Sequence, residues 1–382
     1  MIISHIILKN WRNFKLVEVD LPDRVFLVGP NACGKSNFID SLRFLRDLAK
    51  AGGGLQKAVS DRGGLAKICS LYARRDSELE IEIHLSESGS ETLLWRYGIG
   101  IKPKGGRQTE PIIAYERVWK GNEQIVNRPS PDDEKDELRL TQTYLEQINA
   151  NAEFREIYKF LDTILYFHLI PQLVRNPEAF PIPGLSEDPF GRTFLERVAK
   201  TPERTRKSRL KKIEAALQFA VPQLKNLTDT KDVMGVPHLE AVYEHWRPQA
   251  GKQREDQFSD GTLRLIGLLW ALLETNSLLL LEEPELSLNA GIITKLPALI
   301  YRLQSPKKRQ VIMSSHSADL LADKSIGGEE VLLMTPTPEG TQVQPASSIA
   351  EIKRLLDAGL SVADAALPHT IPPEVEQLNL FT

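Results

Sequence analysis

Cysteine is nearly missing from this sequence: Cys33 and Cys69 are the only two in 382 residues. Two thiols without ligand-like spacing exclude a disulfide framework and a cysteine zinc site, and they point to a reducing compartment. Long apolar runs are lacking too. The greasiest stretch, 263–281, is broken by Arg264, Glu274 and Asn276, so no bilayer span and no membrane partner are expected. The N-terminus lacks the basic start and cleavage site of a secretory signal, and the expected location is the cytoplasm. Neither sign of charge dominates. Lys and Arg number 48 against 51 Asp and Glu, a net of −3, which excludes a wholly basic nucleic-acid coat but not a local basic patch. No internal repeat and no sustained heptad is visible, which excludes solenoids and a long coiled-coil arm.

What is present begins with four apolar residues, Val25 to Val28, read as a short buried strand. Gly29-Pro30-Asn31-Ala32-Cys33-Gly34-Lys35-Ser36-Asn37 follows, and Phe38, Ile39, Leu42 and Leu45 then recur at helical spacing. Strand, G-x-x-x-x-G-K-S and helix together are the context of a phosphate-binding P-loop. Glycines let backbone N–H groups turn inward around a phosphate, and the helix N-terminus adds partial positive charge. Lys35 is placed to reach the β- and γ-phosphates, and the Ser36 hydroxyl to ligate Mg²⁺. The expected ligand is a nucleoside triphosphate.

Strands are expected at 2–8, 16–19, 79–85, 93–101, 112–119 and 124–126, with a hairpin turn at Lys120-Gly121-Asn122. Trp11, Arg12, Asn13 and Phe14 read either as a polar turn with two aromatics or as residues beside the nucleotide. From about 138 the pattern turns helical, with helices expected at 138–148, 152–164 and 201–219, divided by the proline-rich 177–188. The last of these carries Arg204, Arg206, Lys207, Arg209, Lys211 and Lys212 around an apolar face of Leu210, Ile213 and Leu217. Such a run is either a solvated helix face or a surface for a nucleic-acid backbone, with Arg204, Arg206, Arg209 and Lys212 as its contacts.

The second informative region follows a strand expected at 239–245. Phe258-Ser259-Asp260-Gly261-Thr262 carries helix-capping residues before a largely buried helix. Leu278 to Leu281 form a buried strand, and Glu282 and Glu283 emerge at its end, before Pro284 and Glu285. Carboxylates there are costly unless a cation meets them, and a phosphate-bound Mg²⁺ supplies one. A strand at 310–313 then ends in Ser314-Ser315-His316-Ser317, where a histidine is either structural or functional. A strand pair at 330–335 and 341–343 and a helix at 349–357 complete the ordered pattern. The tail carries Val375, Leu378, Leu380 and Phe381, expected either to dock on the protein itself or to bind a partner.

Together these motifs resemble the ABC-class ATPase head shared by SMC, RecF and overcoming-lysogenisation proteins, whose single-chain bacterial members are labelled AAA-family ATP-binding proteins. The likeness covers 1–38 and 257–323. It implies an α/β fold, a mixed β-sheet lobe plus a parallel sheet with flanking helices, carrying a helical insert. It assigns 1–137 and 236–345 to the two parts of the head, 138–235 to the insert and 346–382 to a C-terminal helix and tail. It implies ATP and Mg²⁺ as cofactors and an ATP-dependent, head-to-tail homodimer. In that dimer Ser259, Asp260 and Gly261 meet the partner head's nucleotide. Glu282 helps hold the metal through water, Glu283 polarises the attacking water, and His316 senses the γ-phosphate. Three departures stand out: Glu282 where Asp is usual, Asp260 where transporters carry Gly, and Asn289 where His is common. Gln56 is the candidate for the glutamine loop.

The resemblance implies an ATPase clamp or sensor acting with nucleic acid and a separately encoded effector, a nuclease above all, in phage defence or DNA maintenance. A RecF-like repair loader is the alternative. A transporter engine fits the Ser-Asp-Gly-Thr signature poorly, and a non-hydrolysing scaffold fits Lys35, Ser36 and Glu283 poorly. A fused Toprim nuclease domain is not expected, because about 65 residues follow His316, short for a domain.

Overall fold

Among the described residues, two six-stranded sheets flank the P-loop helix, and the P-loop sits where that helix begins. The computed structural model describes residues 1–73, 78–90, 92–105, 110–178, 190–244, 251–274, 277–372 and 377. The first sheet is antiparallel and comprises β1 (Ile2–Trp11), β2 (Phe14–Asp20), β4 (Leu79–Ser86), β5 (Leu93–Pro103), β6 (Pro111–Lys120) and β7 (Glu123–Arg128), in the order β2-β1-β4-β5-β6-β7. Its strands alternate, as a sheet with one covered face requires: Leu79, Ile81, Ile83 and Leu85 are all fully buried.

The second sheet holds β3 (Arg24–Val28), β8 (Leu165–Phe167), β12 (Leu279–Glu282), β13 (Val311–Ser314), β14 (Val331–Thr337) and β15 (Gly340–Pro345), ordered β15-β14-β3-β13-β12-β8. Only the β15 edge is antiparallel. Its central strands read as unbroken apolar runs because both faces are covered. Val25 and Leu27 of β3 face the core shared with the P-loop helix, Lys35–Ala49. Phe26 and Val28 face a second core, built on the helices Asp260–Glu274 and Glu203–Ala220. The third sheet is small, β11 (Lys252–Arg254), β10 (Pro237–Tyr243) and β9 (Leu224–Lys231).

Register decides where chemistry can occur. Glu282 of β12 lies level with Ser314 of β13, and Ser314 with Leu27 of β3. The carboxyl ends of three parallel strands therefore open onto one edge, the usual position of a ligand in an open α/β sheet.

The stretch 138–235 differs from the helical insert its sequence suggests. Residues 138–148 form no α-helix beyond a short 3₁₀ turn, Glu137–Thr141. Leu138 and Ile148, two of the apolar positions in that pattern, are 66% and 70% exposed. The backbone is pinned from a distance instead: Glu116 accepts from the N–H groups of Tyr144 and Leu145, and Arg128 donates to the carbonyls of Arg139 and Gln142. Further on, β8 enters the second sheet as the neighbour of β12, so this stretch contributes to that sheet. β9, inside the span assigned to the helical insert, pairs with β10 across the boundary expected at 235. Pro131–Lys135 form a short helix capped by Ser130. The tail residues Val375, Leu378, Leu380 and Phe381, and most of the proline-rich 177–188, lie outside the described residues.

Candidate functional site

The P-loop is held by contacts that make its glycines necessary. Gly34 has φ +104°, and a methyl group there would stand 2.2 Å from the Asn13 amide nitrogen; one at Gly29 would stand 2.5 Å from the Met334 carbonyl oxygen. Asn13 clamps the loop with all of its amide. Its Nδ2 donates to the Cys33 carbonyl at 2.7 Å and to Thr341 Oγ1 at 2.8 Å, while its Oδ1 accepts from Asn37 at 2.8 Å. Trp11 donates its indole N–H to the Asn37 carbonyl at 2.7 Å, and Arg12 pairs with Asp40 at 2.7 Å. Residues 11–14 therefore lie against the P-loop and its helix. Burial would raise Asp40, but Arg62, Arg43 and Arg12 outweigh it and hold the carboxyl below its usual value.

Lys35 is 7% exposed, its ammonium donating to the Gly29 and Pro30 carbonyls at 3.0 and 3.1 Å. Burial lowers its pKa, opposed by Cys33, Glu283 and Glu282. Burial also pushes the Cys33 thiol up, against the opposing charge of Lys35. The Ser36 hydroxyl, one residue into the helix, donates to Glu282 Oε1. On the other carboxylate oxygen, Tyr166 Oη donates at 2.5 Å. Burial and the Glu282 charge both push the Tyr166 phenol up, keeping it protonated.

Glu283 turns out of β12 with φ +43°, its N–H held by the Ser314 carbonyl at 3.2 Å. Its Oε1 lies 3.5 Å from His316 Nε2. Burial, and then the charge of Lys35, depress the imidazole, while Glu283 opposes them. Glu285 is a support: buried, it accepts from the Ser315 hydroxyl at 2.5 Å and from the His316 N–H at 3.3 Å, fixing the histidine loop. Burial raises its pKa. The fold thus brings Lys35, Ser36, Glu282, Glu283 and His316 to one edge.

Ser259, Asp260 and Gly261 stand apart from that group. Ser259 is exposed and caps its helix, its Oγ accepting from the Thr262 N–H at 3.2 Å. Asp260 pairs with Arg175 at 2.6 Å and accepts from Gln172 at 3.1 Å. Gly261 lies under the Ser287 carbonyl, 2.5 Å from where a methyl group would sit. Arg264, one turn further on, feels Asp260, Glu283 and Glu285, so this helix shares a field with the carboxylates of its own chain. Three cations hold the other end of the helix: Lys307 donates to the Leu272 and Leu273 carbonyls, Arg309 to Ala271 and Leu272, and Arg209 to Glu274.

That last contact bears on the basic helix. Arg209 also lies over Trp270 at 5.2 Å, and Arg206 donates to the Ala199 and Thr201 carbonyls and pairs with Asp229 at 2.8 Å. Two of the four residues expected at a nucleic-acid backbone are thus engaged inside the fold, while Arg204 and Lys212 are exposed. Gln56 donates to the Pro111 and Thr141 carbonyls, contacts of the antiparallel lobe.

The residues fit Mg²⁺ with bound phosphate. Ser36 and Glu282 supply adjacent oxygen donors, which suits a cation that keeps waters and takes its other ligands from phosphate. Among the described residues there is no cluster of three His, Cys, Asp or Glu, as a site dedicated to a metal alone would need.

The sequence family described as "AAA domain, putative AbiEii toxin, Type IV TA system" matches residues 24–323, well over half of the chain. The chain belongs to this family. It is also similar to the DNA replication and repair protein RecF of Bacillus thuringiensis (strain Al Hakam), at 31% identity over 101 residues, 25% of this chain and 26% of that protein. RecF of Bacillus cereus (strain B4264) matches with the same figures. The chain thus spans about a quarter of the length of the curated relatives it matches. In structure it is similar to an SMC head bound to the C-winged helix domain of ScpA, with a TM-score of 0.53 at 13% identity over 90% of this chain and 98% of that one. The fold is that of an SMC/RecF-like ABC ATPase head. No helix among the described residues is long and apolar enough to cross a membrane.

Proposed function

We propose that this chain binds ATP with Mg²⁺ at Gly29–Asn37, hydrolyses it, and does so as a head-to-tail dimer. The observation that carries the reading is the meeting of Glu283 and His316, 3.5 Å apart, beside Lys35 and the Ser36–Glu282 pair. Backbone N–H groups of the loop and the start of the P-loop helix cradle the phosphates. Lys35 leaves the loop carbonyls for the β- and γ-phosphates and offsets charge in the transition state. Mg²⁺, held by Ser36 and through water by Glu282, would neutralise charge on the same phosphates. Glu283 orients the attacking water, and a neutral His316 contacts the γ-phosphate. The exposed Ser259 and the helix start behind it complete the site from the other subunit.

Beyond the chemistry, the reading is a clamp or sensor that acts with nucleic acid and a separate effector protein, such as a nuclease, in phage defence or DNA maintenance. The family's description, which names a toxin and a toxin–antitoxin system, favours a partnered defence role. The RecF likeness favours the second reading, a repair ATPase that loads other proteins on DNA. The SMC head that resembles this one is bound to part of ScpA, which supports a protein partner.

Glu283→Gln keeps the side chain's shape and removes the charge that orients water. It is expected to lower turnover at least a hundredfold, a loss on the scale of one catalytic acid–base group, and to trap an ATP-bound dimer, read as a doubled mass by light scattering. Unchanged turnover in this variant contradicts the assignment.

A further inference from the structure

Glu282 is gripped from a stretch of chain that none of the motifs covers. Its Oε1 accepts from Ser36, and its Oε2 from the phenol of Tyr166 at 2.5 Å. Tyr166 belongs to β8, where it stands opposite Leu280, and only 6% of it is exposed. Its ring is covered by the guanidinium of Arg43, 4.1 Å from the ring centre, which comes from the same P-loop helix as Ser36. His168, two residues further on, donates from Nδ1 to the Glu282 backbone carbonyl at 3.1 Å. One short edge strand and the residue that follows it thus hold Glu282 by both its side chain and its backbone.

We infer that Tyr166 is a positioning residue for the carboxylate that would receive Mg²⁺, an inference that rests on the ATP reading above. Glutamate carries one more torsion than the aspartate usual at this place, so an unheld carboxylate would sample several directions. The Ser36 hydroxyl could donate to Glu282 and still offer a lone pair to the cation, so its direction would be set by Mg·ATP as well as by the carboxylate. Tyr166 has no such second duty. A phenol also orients without neutralising: an Arg or Lys in its place would cancel the charge the cation needs, whereas Tyr166 gives one hydrogen bond to Oε2 and leaves Oε1 facing the P-loop. Arg43 is used on the ring face, where it fixes the phenol and stays off the carboxylate.

Tyr166→Phe keeps the ring beneath Arg43 and removes only the hydroxyl. The probe is a fluorescent ATP analogue, bound first in EDTA and then over a magnesium titration. Affinity in EDTA should stay within about twofold of wild type, while the Mg²⁺ concentration for half-maximal enhancement of binding should rise roughly tenfold, the scale of one hydrogen bond to a charged group. Placed on Glu282→Gln, the same change should add nothing further, since its target is altered. A magnesium titration that superimposes on wild type overturns the inference, as does a loss of affinity equal with and without Mg²⁺, which marks a merely structural tyrosine. A wild type whose nucleotide binding ignores Mg²⁺ overturns the metal reading of the site as well, and so separates the two failures.

Discussion

Glu283 and His316 face each other across 3.5 Å from the ends of two adjacent parallel strands, a carboxylate and an imidazole held by different loops. The protonation of His316 is coupled to function in a predictable direction. Burial and Lys35 depress the His316 pKa below the ordinary 6.5, so the imidazole is neutral at pH 7. An imidazolium formed at lower pH would pair with Glu283 and take it from the attacking water. The pH profile of kcat/KM, which reports the free protein, should therefore hold down through 6.5 and fall only below it, and His316→Gln should remove that acid limb. An acid limb centred above 6.5 contradicts this assignment. The linked stability has the same sign: a depressed histidine makes the unfolded chain the better proton acceptor, so its contribution to stability falls as pH drops from 6.5 toward the folded pKa.

Asn13 controls the loop without needing to touch the nucleotide. Its three hydrogen bonds join β15, the Cys33 carbonyl and Asn37. Asn13→Ala is expected to cost about 1–3 kcal/mol in urea unfolding, because it orphans partly buried groups, and to weaken ATP binding through a loosened Gly34. Equal stability and equal affinity would show the clamp to be idle.

On the basic helix, the four expected phosphate contacts divide into two pairs. Arg206→Ala and Arg209→Ala should each lower stability by about 1–3 kcal/mol through lost hydrogen bonds, whereas Arg204→Ala and Lys212→Ala should leave the melting curve unchanged. If this face meets a nucleic-acid backbone, the exposed pair alone should reduce the salt dependence of binding, measured by anisotropy with labelled DNA. Identical salt slopes assign the helix face to solvent.

How much of this was legible in the sequence varies with what holds each element. The P-loop, the carboxylate strand and the histidine loop carry their own chemistry locally, in glycine spacing and in polar residues at the ends of apolar runs. β3 and β12 were readable because burial on both faces leaves an uninterrupted apolar run. By contrast, 138–148 looked helical but is held by Glu116 and Arg128, residues that local periodicity does not see. β8 is three residues long, too short for any period to declare it, and so Tyr166 and His168 were missed. A tyrosine and a histidine flanking Phe167 in an otherwise apolar run were the available sign. Arg206 and Arg209 were read as surface because charge patterning does not reveal which arginines cap a neighbouring helix.

The central claim is that hydrolysis needs two subunits, and complementation tests it most directly. Lys35→Ala should weaken nucleotide binding and abolish turnover, and Ser259→Arg should block closure while the isolated head still binds ATP. Each variant alone is expected to be inactive. Mixed, they form dimers with one intact site, built from the P-loop of one chain and the Ser259 helix of the other. Activity should return to as much as about half of wild type per mixed dimer, provided the sites act independently. Full activity of Ser259→Arg by itself would contradict the account outright.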